Sequence, residues 1–267
     1  METNYIAISY GQLALSALLI VVNVVLSTAL RLGLGQSLLT AALRMVVQLL
    51  LIGFVLEWLF TQDNALVILA IALVMTAIAG IAAVNRTQRR FVGVYWHSLL
   101  SVLASSSLVT GFAMVGIIRV QPWYDPQYLI PLLGMVLGNT LNGISLGLDR
   151  FMEGLVTQRD QVETLLALGA TRWEAAHPQV RNAIRVGMIP TINSMMVMGL
   201  VSLPGMMTGQ ILAGANPIDA VRYQIVIIFM IAAGAALGIF GVVLLAYRRL
   251  LSPDHQLRLD YIEKAKQ

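Results

Sequence analysis

Cysteine is absent from the 267 residues, which excludes disulfides and thiolate metal sites outright. Charge is scarce as well: 11% of the residues are Asp, Glu, Lys or Arg, against about 25% in an average soluble domain. Lysine occurs only at Lys264 and Lys266, in the tail. A phosphate-binding P-loop needs the pattern G-x-x-x-x-G-K-[ST], whose lysine reaches the phosphates. The sequence therefore cannot hydrolyse ATP by that route. No Lys or Arg precedes Arg31, and Glu2 makes the leading segment slightly acidic. A secretory signal would carry a basic n-region and a small-residue cleavage site, so the first apolar stretch is expected to be a retained membrane helix. The net charge of +4 is no nucleic-acid signal, and no nucleic-acid partner is expected.

What is present is apolar surface, 58% of the residues, more than a soluble fold of this length can hide; the solvent must be lipid. A spanning helix needs about 20 mostly apolar residues. Seven stretches qualify, over 9–30, 37–60, 65–84, 93–118, 127–148, 186–212 and 220–246. The fold expected is all-α, a polytopic membrane protein of about seven transmembrane helices in a single transmembrane domain covering 1–267. Basic residues gather after the first, third, fifth and seventh stretches, at Arg31, Arg86, Arg89, Arg90, Arg150, Arg159, Arg172, Arg181, Arg185, Arg248, Arg249 and Arg258; the other side holds only Arg119 and Arg222. Positive charge marks the cytoplasmic side, which puts the N-terminus outside and the C-terminus in the cytoplasm; an inner (plasma) membrane is the expected location. Glycines four apart, Gly134 with Gly138, Gly143 with Gly147 and Gly234 with Gly238, permit close helix approach, either within the chain or between subunits.

The one long polar stretch between spans is about 149–185, on the cytoplasmic side. In it Val162, Leu165, Leu166, Gly169, Trp173, Ala176 and Val180 recur at helical spacing. Gly169 is placed to end a helix. Thr171 with Glu174 forms a capping-box pattern, and Pro178 suits the first turn of a further helix. The expected path is helix, sharp turn, short helix at about 172–177, then a helix returning to the membrane. A short half-apolar helix of this kind either docks in a partner's groove or lies on the bilayer surface.

The segment from Glu163 to Glu174, ETLLALGATRWE, resembles the coupling loop of ATP-binding cassette (ABC) transporter permeases. Ile189 to Thr191 (IPT), Gly199 to Gly209 (GLVSLPGMMTG), Ala213, Gly214 and Pro217, then Arg222 to Gln224 (RYQ), resemble the FetB-type permeases. The likeness runs over most of Pro131 to Gln256 and is looser before that. Members of that family include bacterial iron-export permeases and plant aluminium-tolerance homologues. The resemblance implies a non-enzymatic permease that exports metal ions, with iron as cargo. It implies two permease chains paired with two chains of a separate FetA-like ATPase, which uses ATP and Mg. No cofactor is expected on this chain itself. In that reading Glu163, Leu166, Gly169, Ala170, Thr171, Trp173 and Glu174 contact the ATPase.

Polar groups within spans are costly and are the default candidates for function. Arg44 and Gln48 share a face of the second stretch; Arg44 either snorkels outward or forms a buried pair. Glu57 sits toward the outer boundary. Asn139 and Asn142 share a face of the fifth stretch and either bond neighbouring helices or line a polar path. Six methionines fall between Met188 and Met207. They are plastic packing or soft ligands suited to cuprous copper. Pro204 and Gly205 are expected to break the sixth stretch beside Met206 and Met207, and a broken helix is tolerated at membrane depth only where it lines a cavity or is buried in protein. The three histidines have no ligand spacing, so metal ligands are not assigned by sequence. A permease of other cargo or direction (a metal importer, or a peptide or lipid exporter) remains an alternative. A proton-coupled carrier would need mid-membrane carboxylates, and Glu57 is the sole, poorly placed candidate.

Overall fold

The computed structural model describes residues 8–264. The chain divides into two compact units, one formed by the residues up to Asp63 together with Gln210–Ala215, the other by Asn64–Gly209 together with the residues from Asn216 on. The first unit holds α1 (Tyr10–Ser16), α2 (Leu18–Ala29) and α3 (Gly35–Leu59). The first expected span is thus two helices meeting at Ala17. Its turn to α3 is fixed by the Ser27 hydroxyl, which accepts from Leu34 N at 3.0 Å.

The second unit holds α4 (Ala65–Asn85), β1 (Arg89–Phe91), α5 (Val94–Phe112) continued by a π-helical turn Ala113–Ile118, α6 (Pro126–Thr157), α7 (Arg159–Ala167), α8 (Arg172–Val197), α10 (Pro217–Leu250) and β2 (Ile262–Lys264). Between α8 and α10 lies α9 (Gly205–Leu212). Apart from the two three-residue strands, which pair antiparallel, the fold is helical. Side-chain caps set the helix starts. Asn64, Asp125 and Asn216 accept from the backbone N–H two residues on at 2.8–2.9 Å, and Pro126 and Pro217 occupy the first turns of α6 and α10.

Among the described residues six helices are long and apolar enough to cross a membrane, where the sequence predicts seven: Tyr10–Ala29, Gly35–Leu59, Ala65–Asn85, Val94–Ile118, Pro126–Thr157 and Pro217–Leu250. The expected sixth stretch, 186–212, is not one helix. It is the end of α8, a non-helical segment at 198–204, and the eight-residue α9. Gly199, at φ +81°, makes that break. A second correction concerns Pro178. The expected short helix at 172–177 does not end there; α8 continues through Pro178 and Pro190 to Val197. Pro178 has no N–H for the Glu174 carbonyl four residues back, but both residues are exposed, so water can satisfy that oxygen. The short helix of this region is α7.

Neighbouring helices of the second unit alternate in direction. Ser98 of α5 donates to Gly80 O of α4 at 2.9 Å. Ile239 of α10 lies against Gly143 and Gly147 of α6, and these same glycines face Gly187 and Ala183 of α8 in reverse order. The turns at 86–93 and 158–171 and the tail from Leu251 therefore share one end, and arginines including Arg86, Arg89, Arg90, Arg159, Arg172 and Arg258 flank it.

The glycine contacts decide which crossings are tight. A Cβ on Gly187 would stand 2.8 Å from Gly143 O; on Gly234, 2.6 Å from Val136 Cγ1; on Gly238, 2.6 Å from Thr140 Cγ2. Gly138 would meet nothing within 4 Å. Small residues at these crossings therefore serve packing within the chain, with Gly138 as the exception. Gly187→Ala is expected to destabilise by about 1–3 kcal/mol through overpacking against an unyielding backbone oxygen. Gly138→Ala should be neutral or gain up to about 1 kcal/mol of helix propensity. Thermal unfolding in detergent, variant against parent, reads both.

Candidate functional site

The turn that follows α7 collects every residue expected to contact an ATPase. The apolar stripe of α7 points inward: Val162 is fully buried, and Leu165 and Leu166 pack against the core. Leu166 is only partly buried there, so it helps to hold the helix against the bundle. Glu163 is half-buried and accepts from Arg159 Nε at 2.8 Å. That carboxylate raises the pKa of the Arg159 guanidinium through the hydrogen bond and its charge. The helix stops in a Schellman arrangement: Gly169 N donates to Leu166 O at 3.1 Å and Ala170 N to Leu165 O at 3.0 Å, with Gly169 at φ +91°. Leu168, just before the glycine, is 79% exposed.

The start of α8 is fixed by the predicted capping box. Thr171 Oγ1 accepts from Glu174 N at 3.3 Å, while the Glu174 carboxylate accepts from Thr171 N at 2.8 Å and from the Thr171 hydroxyl at 2.7 Å. These two donors lower the Glu174 pKa, the hydroxyl most, with a small opposing effect of desolvation. Trp173 is partly exposed and sits edge-on to Tyr247, 5.4 Å between centroids. The sequence reading missed the tail's part here. Arg172 N donates to His255 Nδ1 at 2.9 Å, and the Arg172 guanidinium lies 5.7 Å over the Tyr247 ring. Beyond, β2 pairs with β1 on the turn between α4 and α5. None of these long-range contacts has a local sequence signal. Leu168 had one, as the apolar residue standing off the inward stripe just before a helix-ending glycine.

At the opposite end of the same bundle α6, α8 and α10 enclose a recess of about 280 Å³. Asn139, Pro204, Gly205 and Met206, all expected on a polar path, line it. Thr191, Ser194, Met195 and Gln224 join them. Met207 lines an adjoining apolar recess that shares Met195, Pro204 and Gln224. Asn142 is placed elsewhere: it accepts a hydrogen bond from Arg86 and ties α6 to α4. The break expected at Pro204 and Gly205 is present but opens earlier, at 198; Pro204 is its last residue, and Pro204 O accepts from Thr208 N at 3.0 Å at the start of α9, a position where a missing N–H costs nothing. Gln224 is 7% exposed, and its Oε1 has no hydrogen-bond partner. The recess has no ionisable lining residue, and no group of three or more His, Asp or Glu side chains able to hold a metal occurs among the described residues. In the first unit, Arg44, Gln48 and Glu57 of α3 are exposed and make no side-chain hydrogen bond or ion pair among the described residues.

Two predictions follow from the turn. Gly169→Ala meets no atom, so its cost is backbone strain alone, about 1–2 kcal/mol, with Gly169→Asn milder; thermal unfolding ranks the two. The Glu174 carboxyl has a folded pKa below its unfolded value, so its capping contribution is complete above the unfolded pKa and is lost as pH falls through the folded one. The stability difference between the parent and Glu174→Gln should therefore change only on acidification below pH about 4.3, the unperturbed glutamate value, and stay constant above it.

The chain matches the family described as "Uncharacterised protein family (UPF0014)" over residues 10–251. It is 42% identical over 226 residues to a UPF0014 membrane protein of Synechocystis, covering 85% of this chain and 87% of that protein. It is 31% identical over 257 residues to the "Probable iron export permease protein FetB" of Escherichia coli, covering 96% and 98%. It is 34% identical over 245 residues to the protein ALUMINUM SENSITIVE 3 of Arabidopsis thaliana, covering 92% and 88%. No solved structure matches. With six candidate spans and a family match that takes in all of them, the chain is a multi-pass membrane protein that belongs to the UPF0014 family.

Proposed function

We propose that this chain is the permease subunit of an ATP-binding cassette exporter that moves metal ions, iron foremost, out of the cytoplasm. Two copies pair with two copies of a separate ATPase, which handles ATP and Mg. The arginine-rich end faces the cytoplasm, in keeping with the bias of basic residues, and the membrane is the inner (plasma) membrane. The observation that carries this reading is the α7–Gly169–α8 turn, in which α7 ends in a Schellman cap and α8 begins in a capping box, held at the basic end of the bundle with Leu168 exposed at its tip. Such a knob suits insertion into a groove on a partner. The E. coli relative supports the cargo and its direction, since it is named for probable iron export as a permease.

Within this reading α7 is gripped from outside by the ATPase, Leu168 enters its groove, and α8 carries the displacement into the bundle. The test is transport in proteoliposomes containing this chain with its ATPase, comparing iron, manganese, zinc and copper. ATP-dependent movement of ferrous iron is expected only when both chains are present. Movement by this chain alone, or in the importing direction, overturns the proposal. Leu168→Asp and Gly169→Asp should abolish copurification of the ATPase and metal-stimulated ATP hydrolysis while leaving thermal unfolding of the permease within a few degrees of the parent.

A further inference from the structure

We infer that the recess between α6, α8 and α10 binds the transported cation through neutral donors, with Gln224 Oε1 as its principal oxygen. The assignment of a cation as cargo rests on the proposed function; the placement of the site rests on the geometry.

Gln224 carries the argument. A buried amide oxygen without a donor costs roughly 1–3 kcal/mol, and buried side-chain polar atoms are seldom left so. Gln224 is 7% exposed and lines the recess, and its Oε1 has neither a partner nor appreciable accessible surface, so that oxygen meets a ligand once the amide turns into the recess. Across from it on α8 stand the hydroxyls of Thr191 and Ser194, neither of which makes a hydrogen bond among the described residues, and Thr191 is itself 8% exposed. Hydroxyls on a helix commonly turn back to the carbonyl four residues earlier, as Thr208 and Thr157 do here. Thr191 and Ser194 do not. On α6, Asn139 spends its amide N–H on Met135 O at 2.9 Å, which leaves Oδ1 without a partner. Three helices thus bring neutral oxygens to one recess, and thioethers stand beside them at Met195 and Met206.

This donor set has a definite chemical preference. Calcium and magnesium sites are built on carboxylates and other hard oxygens, and the recess has no carboxylate. Thioether sulfur favours softer ions over alkaline-earth ions. Neutral oxygens leave the charge of the ion uncompensated, so the ion is held weakly, as release from a transport site requires. The cargo that fits is a transition-metal cation of low charge, ferrous or cuprous, retaining part of its water.

The test is equilibrium binding of ferrous iron, cuprous copper and magnesium to the permease–ATPase complex in nanodiscs without ATP. The parent is expected to bind iron or copper in preference to magnesium. Gln224→Leu and Thr191→Val should each weaken that binding by about tenfold or more, on the scale seen when a single metal-supporting group is removed; Thr191→Ser should restore it. Gln224→Glu should tighten it, because a carboxylate compensates the charge. Gln179→Leu, a change at a buried amide of α8 outside the recess, is the control and should leave binding unchanged. Thermal unfolding of each variant separates loss of binding from loss of fold. If the parent binds none of the metals, or if Gln224→Leu and Thr191→Val bind as the parent does, the site is wrong. If binding behaves as expected but ATP drives no metal across the membrane, the site stands and the proposed function falls.

Discussion

Everything in the larger unit depends on how closely α6, α8 and α10 approach one another. In lipid, apolar side chains gain nothing from leaving their solvent, so helices associate through van der Waals contact and interhelical hydrogen bonds. Here Gly143 faces Gly187 with no room for a Cβ, while Gly234 and Gly238 take Val136 and Thr140 into the gaps they leave. Ile239 fills the junction of the three helices and is fully buried. This crossing lies between the capped turn at one end and the polar recess at the other. Both are held in register by it.

The continuity of α8 gives that register mechanical content. Its 26 residues span about 39 Å at 1.5 Å per residue. Thr171 at one end belongs to the turn, and Thr191 and Ser194 near the other line the recess. A break at Pro178, as the sequence suggests, would leave two short helices free to move separately. As one continuous helix, though softened at Pro178 and Pro190, α8 links Thr171 to Thr191 through its backbone. The tail adds a second attachment: His255 and Tyr247 hold Arg172, and β2 fastens the tail to the turn between α4 and α5. The start of α8 is therefore tied both to the end of α10 and to the α4–α5 turn, and it does not move without them.

Local chemistry was legible in the sequence, and long-range assembly was not. The capping box of Thr171 and Glu174 and the left-handed Gly169 appear as read, because each is decided by residues three or four positions apart. The stripe of Val162, Leu165 and Leu166 was found, but periodicity does not tell whether an apolar face meets the chain's own core or a partner. The structure puts it inward, which leaves Leu168 as the exposed apolar tip. In the sixth stretch the break at Pro204 was legible because a proline is conspicuous, while its opening at the left-handed Gly199 was not, so the length of the non-helical segment was missed. Asn139 and Asn142 were paired by helical spacing. The two separate because Arg86, 56 residues away, donates to Asn142. Gln224 was quoted only as part of a resemblance, since an apolar helix with one amide gives no hint that its oxygen lacks a donor.

The recess also bears on where the energy for transport enters. A carrier driven by protons needs a group at the binding site that titrates as the site changes access, and no residue lining this recess ionises. The other intramembrane candidates, Arg44 and Glu57, lie on α3 in the separate unit and make no ion pair among the described residues. A neutral site can bind and release its cargo only as its geometry changes, because its charge does not. That geometry is set by where Thr191 and Ser194 stand relative to Gln224, hence by the position of α8 against α10. In the proposed function, work done on the cargo arrives as movement of α8, and the capped turn at Thr171 is where the proposed ATPase would reach it. The neutrality of the recess and the exposure of the turn thus support the same division of labour, in which this chain binds and displaces while another supplies the force.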